Sequence, residues 1–226
     1  MAGNDVAVGK PDPSIYSLAS ERLNVSPGCA LVNRGRNVWC KSIAEAQRAQ
    51  ELDPLSPDIV SQLGNVHFIA RQYDESIAQF QKALDLNPNI PVVRAMLSLA
   101  FAMKHMYPQA LAEYDKIAER DKAVGPDNQF VVGFHGWVLA ISGKRADALK
   151  VAQEFRDLSS HAYVDFYFPA GIYAGLGDKD EAFRLLEKGY EERSVGMVYL
   201  AVDSFWDSVR SDPRYTDLLR RIGLPQ

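Results

Sequence analysis

Apolar residues recur every three to four positions along most of the chain, in stretches separated by short polar turns. The segments "RNVWCKSIAEAQRAQELDP" (36–54) and "ARQYDESIAQFQKALDLNP" (70–88) show this spacing. Such a period places the apolar side chains on one face of an α-helix. The pattern therefore predicts a chain built mostly of short amphipathic helices that pack in pairs.

The two segments also match each other at a shift of 34 residues, with Trp39 on Tyr73 and Pro54 on Pro88. Successive steps of 34, 34, 38 and 34 residues connect a series of small side chains: Ser42, Ser76, Ala110, Ala148 and Ala182. Small residues allow paired helices to approach closely, and stacked pairs bury apolar surface that one pair leaves exposed. The period thus predicts an all-α fold, a right-handed α-solenoid.

The 34-residue period, together with Leu63-Gly64, Ala83 and Pro88, resembles the tetratricopeptide repeat. The resemblance covers residues 26–196 as one imperfect repeat followed by four repeats: 57–90, 91–124, 129–162 and 163–196. Pro169 lies inside the expected first helix of the last repeat. Because proline lacks an N–H and clashes with the preceding turn, we expect it to kink that helix or delay its start.

Residues 197–226 leave the repeat period and are expected to form a C-terminal capping segment. Ser211 and Asp212 before Pro213 are typical of a helix start. The following helix would have an apolar side (Tyr215, Leu218, Leu219, Ile222) and a basic side (Arg214, Arg220, Arg221). We expect the apolar side to cover the open end of the solenoid.

The runs "LGDKDEAFRLLEKGYEER" and "RSDPRYTDLLRRIGLP" resemble the C-terminal repeat regions of bacterial signalling proteins. That resemblance implies an interaction module without a kinase, cyclase or winged-helix output domain. A structural or self-associating module is the alternative, in which solenoid ends stack to form a homo-oligomer.

Residues 1–25, the expected N-terminal tail and helix, contain most of a segment that resembles a second family. "GKPDPSIYSLASERLNVSPGCALV" is similar to a fragment of haloacid dehalogenase-like phosphatases, in which Lys10 would hold a phosphate. That family also needs a DxD nucleophile motif and a later acidic pair, but the chain has "NRGRN" (33–37) where the pair should stand. A degenerate phosphatase is therefore the least favoured reading, and residues 11–24 are expected to form a covering helix.

Composition and charge exclude several classes of function. The net charge of −4 gives no basic field for nucleic acid, and the two cysteines and four histidines lack the spacing of a metal site. The longest apolar stretch, residues 130–143, is too short to span a bilayer, and the first residues lack the pattern of a signal peptide. We expect a cytoplasmic protein that is not an enzyme and has no catalytic residue, metal, cofactor, nucleic acid or membrane partner.

The tetratricopeptide resemblance implies that the first helix of each pair lines a concave groove. Carried over position by position, that groove presents Gln62, Asn65, Phe68, Met96, Leu99, Phe130, Phe134, Trp137 and Tyr167. Only Asn65 matches the clamp with which some such arrays hold an acidic carboxyl end. The groove therefore favours an apolar peptide or an amphipathic helix as partner. The alternative is that these aromatics are core, or are covered by residues 11–24 or by the tail.

Overall fold

The computed structural model describes residues 36–120 and 128–224, and the side chains within 42–117 and 128–224. The phosphatase-like fragment with Lys10, the helix expected at 11–24 and residues 26–35 of the imperfect first repeat lie outside the described residues.

Helix pairs make up the described part of the chain, in which no residue is assigned to a strand. Helix α1 spans Arg36–Leu52 and precedes the first complete pair. The pairs are α2 (Pro57–Ile69) with α3 (Tyr73–Leu86), α4 (Pro91–Met103) with α5 (Tyr107–Arg120), α6 (Gln129–Ile141) with α7 (Arg145–Leu158), and α8 (Tyr167–Gly175) with α9 (Lys179–Glu191). Two short 3-10 helices, Val195–Tyr199 and Ser204–Trp206, then lead to α10 (Pro213–Ile222).

The first helices of the pairs form a continuous inner layer. Helix α2 contacts α4, α4 contacts α6, and α6 contacts α8, while each second helix packs on its own partner. This arrangement is an α-solenoid, as the repeat period predicted. Its inner layer is the surface on which the predicted groove residues lie.

The turn inside each pair repeats with the same period as the sequence. Arg71, His105, Gly143 and Gly177 all have a positive φ, between 59° and 82°. Glycine adopts this left-handed region without a Cβ clash, whereas Arg71 and His105 adopt it at a cost that the packed helices on either side must offset. The turns inside the four helix pairs therefore share this backbone conformation.

Small residues allow α6 and α8 to pack closely. A Cβ on Gly133 would lie 2.4 Å from Cβ of Phe168, and one on Gly136 would lie 2.4 Å from Cδ1 of Ile172. The predicted small positions at Ser76, Ala110, Ala148 and Ala182 are all fully buried. The close approach at Gly133 brings Phe168 beside Phe130 and Phe134, which build one wall of the concave face.

Pro169 delays the start of its helix, which was one of the two expected outcomes. Helix α8 begins at Tyr167, so Pro169 is its third residue, and the helix has only nine residues. An N–H in the first turn has no intrahelical partner, so the proline removes no helical hydrogen bond there.

Helix α10 packs against α9. Asp212 accepts a hydrogen bond from the N–H of Arg214 at the helix start, and the four predicted apolar residues are buried. Arg214 pairs with Asp180 at 2.8 Å and Arg221 with Glu187 at 2.7 Å. The basic side of α10 therefore meets acidic side chains of α9 while its apolar side covers the core.

We predict that Gly133→Ala lowers the free energy of unfolding by about 1–3 kcal/mol, because the added methyl overpacks against Phe168. Gly171→Ala is the matched control, since its Cβ would meet Phe205 at 3.5 Å, an ordinary contact. Alanine is the better helix former, so the control should be neutral or gain up to about 1 kcal/mol. Urea denaturation followed by circular dichroism measures both, and equal effects would contradict the close packing of α6 on α8.

Candidate peptide-binding groove

A cavity of about 440 Å³ lies on the concave side of the solenoid. The inner helices supply one wall, mainly with Val66, Phe68, Met96, Phe130 and Phe168. The chain after α9 supplies the opposite wall, with Val195, Gly196, Tyr199 and Asp203. The concave face is therefore a partly enclosed cavity rather than an open groove.

The predicted groove residues divide into two groups. Those that line the cavity are Gln62, Asn65, Phe68, Met96, Phe130, Phe134 and Tyr167. Leu99 and Trp137 are 1% and 5% exposed and lie in the core, outside the cavity lining. The structure thus brings together seven of the nine positions that the repeat pattern selected.

The C-terminal segment explains why Trp137 is covered. The ring of Phe205 stacks on Trp137 with centroids 4.5 Å apart and meets the edge of Phe134 at 5.0 Å. Next to it, the fully buried Trp206 donates a hydrogen bond from Nε1 to the Tyr167 hydroxyl oxygen at 3.0 Å. The tail therefore occupies part of the predicted groove, which was one of the alternatives left open by the sequence.

Glycine allows the same segment to lie directly on the inner layer. A Cβ on Gly196 would lie 2.5 Å from Cγ of Tyr167, so the backbone at Gly196 rests on that ring. The N–H of Gly196 donates to Oδ2 of Asp165 at 2.8 Å, and the N–H of Tyr167 donates to Oδ1 at 3.2 Å. These bonds fix the wall at residues 195–196 against the start of α8.

An ion pair connects the tail to the other end of the described array. Arg71, in the turn between α2 and α3, donates to both carboxylate oxygens of Asp207 at 2.6 and 2.8 Å. Burial alone would raise the pKa of Asp207, but hydrogen bonds from Arg71 and Arg210 hold it below its ordinary value. Since the side chains are 48% and 37% exposed, the pair contributes no more than about 1 kcal/mol. Its importance is geometric, because it joins residues 136 positions apart across the concave face.

Two carboxyl groups, those of Asp165 and Asp203, stand among the otherwise mainly apolar lining of the cavity. Asp203 accepts a hydrogen bond from the Tyr167 hydroxyl, and burial raises the pKa of Asp203 to about 6. Burial also raises the pKa of Asp165, although its two backbone hydrogen bonds oppose that change. Tyr167 is a buried phenol whose pKa is raised well above its ordinary value by burial and by the charge of Asp203.

Sequence reasoning missed Val66, Ile69, Asp165, Val195, Gly196, Tyr199 and Asp203. The last four follow α9, at or beyond the end of the last repeat, and no position in the first-helix pattern assigns them to the groove. One signal was available, since "VYLAVDSFW" (198–206) is too apolar for an exposed tail.

Potential metal ligands do not gather into a larger group in the part of the chain that the structure describes. Within its side chains, no group of three or more His, Cys, Asp or Glu residues could hold a metal ion. His135 is partly buried and stacks on Tyr114 with ring centroids 4.4 Å apart. Burial lowers the pKa of His135, although the charges of Asp115 and Asp147 oppose that change.

Comparison with known proteins identifies the type of repeat. The family model of the tetratricopeptide repeat matches residues 57–90, which confirms the repeat that the sequence predicted there. A search of curated proteins finds no match. Among solved structures, the chain is similar to a tetratricopeptide repeat protein from Parabacteroides merdae ATCC 43184, with 12% identity and a TM-score of 0.47. That likeness covers 93% of this chain and 79% of the other.

The helices of the described residues also bear on membrane insertion. None of the helices between residues 36 and 224 combines the length and the apolar character that crossing a bilayer requires.

We predict that Asp203→Asn changes how stability depends on pH. From its ordinary value of 3.8 to about 6, the folded protein keeps a proton on Asp203 that the unfolded chain has lost. The free energy of unfolding of the native sequence therefore falls, through this group, as pH rises across that window and stays lower above it.

The variant lacks this group, so its stability relative to the native sequence should increase from pH 4 to pH 7 by up to about 3 kcal/mol. Denaturant titrations at several pH values measure the difference. A difference that is constant with pH would contradict the burial of this carboxyl.

Proposed function

We propose that the chain is a non-catalytic scaffold that binds an apolar or amphipathic helical peptide in the cavity between the inner helices and the C-terminal segment. The observation that supports this most directly is an aromatic cavity that stays open to solvent. Apolar pockets with a few convergent polar groups are the usual form of ligand sites, and their volumes range over roughly 300–1,000 Å³.

Apolar surface extends from the cavity to its rim. Val195 lines the cavity and is 63% exposed, and Tyr163 beside it is 54% exposed. The Tyr163 hydroxyl accepts a hydrogen bond from the N–H of Val195 at 3.4 Å, which keeps the two side chains together. A peptide that entered the cavity could continue along this rim and bury both residues.

Rigid aromatic rings form the floor of the cavity. The Phe130 and Phe134 rings pack edge to face with centroids 4.1 Å apart, and Phe168 meets them at 6.0 and 5.7 Å. Because these rings are held by one another, a ligand does not have to order them on binding. Pre-organised aromatic anchors of this kind usually supply most of the energy of a peptide interface.

The repeat at residues 57–90 gives independent support. Stacked helix pairs of this type build extended concave surfaces that are suited to binding other proteins. In this chain, α2 of that repeat contributes Gln62, Asn65 and Phe68 to the cavity.

We predict that the double variant Met96→Asn, Val195→Asn weakens peptide binding at least tenfold, because it removes apolar contact from both walls. The matched control is Leu52→Asn, Leu55→Asn, which changes two residues that are 83% and 73% exposed and do not line the cavity. Peptides selected from a displayed random library by the native protein provide the probes, and fluorescence anisotropy measures their affinity.

Circular dichroism confirms that both variants fold. Equal affinity in the two double variants would place binding elsewhere on the molecule. Failure of the native protein to select any peptide, together with a mass that grows with concentration in light scattering, would favour self-association through the solenoid ends.

A further inference from the structure

The described ionisable side chains that line the cavity include acids but no bases. Its lining includes two carboxyl groups, Asp165 and Asp203, and no lysine, arginine or histidine among the described residues. The carboxyls come from different parts of the chain, one from the loop before α8 and the other from the C-terminal segment. Both reach the apolar cavity through the fold: Asp165 accepts from the backbone N–H of Tyr167, and Asp203 accepts from the hydroxyl of the same residue.

The nearest arginines are engaged with other acceptors. Arg71 directs its two donors to Asp207. Arg210 donates to Asp207, to the Tyr215 hydroxyl and to the backbone oxygens of Ala201 and Asp203. Within residues 42–117 and 128–224, the donor to the Asp203 carboxylate is the Tyr167 hydroxyl, which bonds Oδ2, and none bonds Oδ1.

A ligand that entered this cavity would meet two carboxyl groups and no cationic side chain in the described lining, although the nearby charge of Arg210 offsets part of the charge of Asp203. An acidic peptide would be repelled, and a neutral one would remove water from the carboxylates without replacing it. A cationic group would pair with them, and the hydrogen bonds it formed would offset the loss of its own hydration.

We propose that the peptide bound in the cavity carries a lysine or arginine next to its apolar residues, and that this cation lies against Asp203, because both Asp165 oxygens already accept backbone N–H groups. This inference rests on the proposed function and adds the chemistry of the ligand to it. The aliphatic stem of either side chain would lie along the apolar lining, which includes Phe68, Met96 and Phe130, while its charged end reached Asp203. The preference is opposite to that of a basic clamp for acidic chain ends.

The experiment starts from a random peptide library displayed on phage and selected with the native protein. We expect the selected peptides to be enriched in lysine or arginine among apolar residues. For one selected peptide, the capped synthetic form and a copy with norleucine in place of the cation are then titrated by calorimetry. The native protein should bind the cationic form at least tenfold more tightly.

Asp203→Asn is the test variant, because an amide oxygen can still accept the Tyr167 hydrogen bond while the charge is lost. It should bind the two peptides with affinities within about twofold of each other. Asp180→Asn is the control, since it makes the same charge change at a side chain that is 91% exposed and outside the cavity. The control should keep the tenfold preference.

The possible failures are distinguishable. Selection of apolar peptides without a cation would overturn the charge preference and leave the proposed function standing. A preference that survives in Asp203→Asn would overturn the assignment of the cation to this carboxyl. If the native protein selected no peptide at all, the proposed function and this inference would fail together.

Discussion

The packing of Phe205 and Trp206 against the inner helices determines the form of the concave face. Phe205 stacks on Trp137, and Trp206 bonds to Tyr167, so the chain between α9 and α10 is held inside the superhelix. The residues on either side of this pair are thereby positioned for two further contacts. Asp203 accepts a hydrogen bond from the Tyr167 hydroxyl, and Asp207 forms an ion pair with Arg71. One aromatic anchor therefore converts an open array into a cavity with two walls.

The same anchor carries a charge into apolar surroundings. Asp203 precedes Phe205 by two residues, so the tail cannot pack as it does without bringing this carboxyl to the cavity. Desolvation opposes its ionisation, which is why its pKa rises to about 6 and why the folded state is less stable once the group is charged. The charged carboxylate of Asp203, with one hydrogen-bond donor among the described residues, lowers the stability of the protein without ligand. A cationic ligand bound beside it would offset this loss.

The repeat period predicted the inner layer well, because that layer is built from contacts between helices of adjacent repeats. The burial of small residues such as Ala148 follows from close helix packing, and the late start of α8 follows from the backbone limits of Pro169. In the same way, Asp212-Pro213 correctly marked the start of α10. The opposite wall could not be predicted this way, since Arg71 and Asp207 are 136 positions apart and no period connects them. Trp137 shows the consequence, because its burial depends on Phe205 in a segment that the repeat pattern does not reach.

The most direct test of this account is a crosslink across the cavity. Benzoylphenylalanine placed at Gln62, an exposed lining residue of α2, would be activated by light and its products mapped by mass spectrometry. The account predicts crosslinks to residues 195–203 in the native background and their loss in Phe205→Ala, where the anchor is removed. Crosslinks confined to α1 and α4 in the native background would show that the C-terminal segment does not close the concave face.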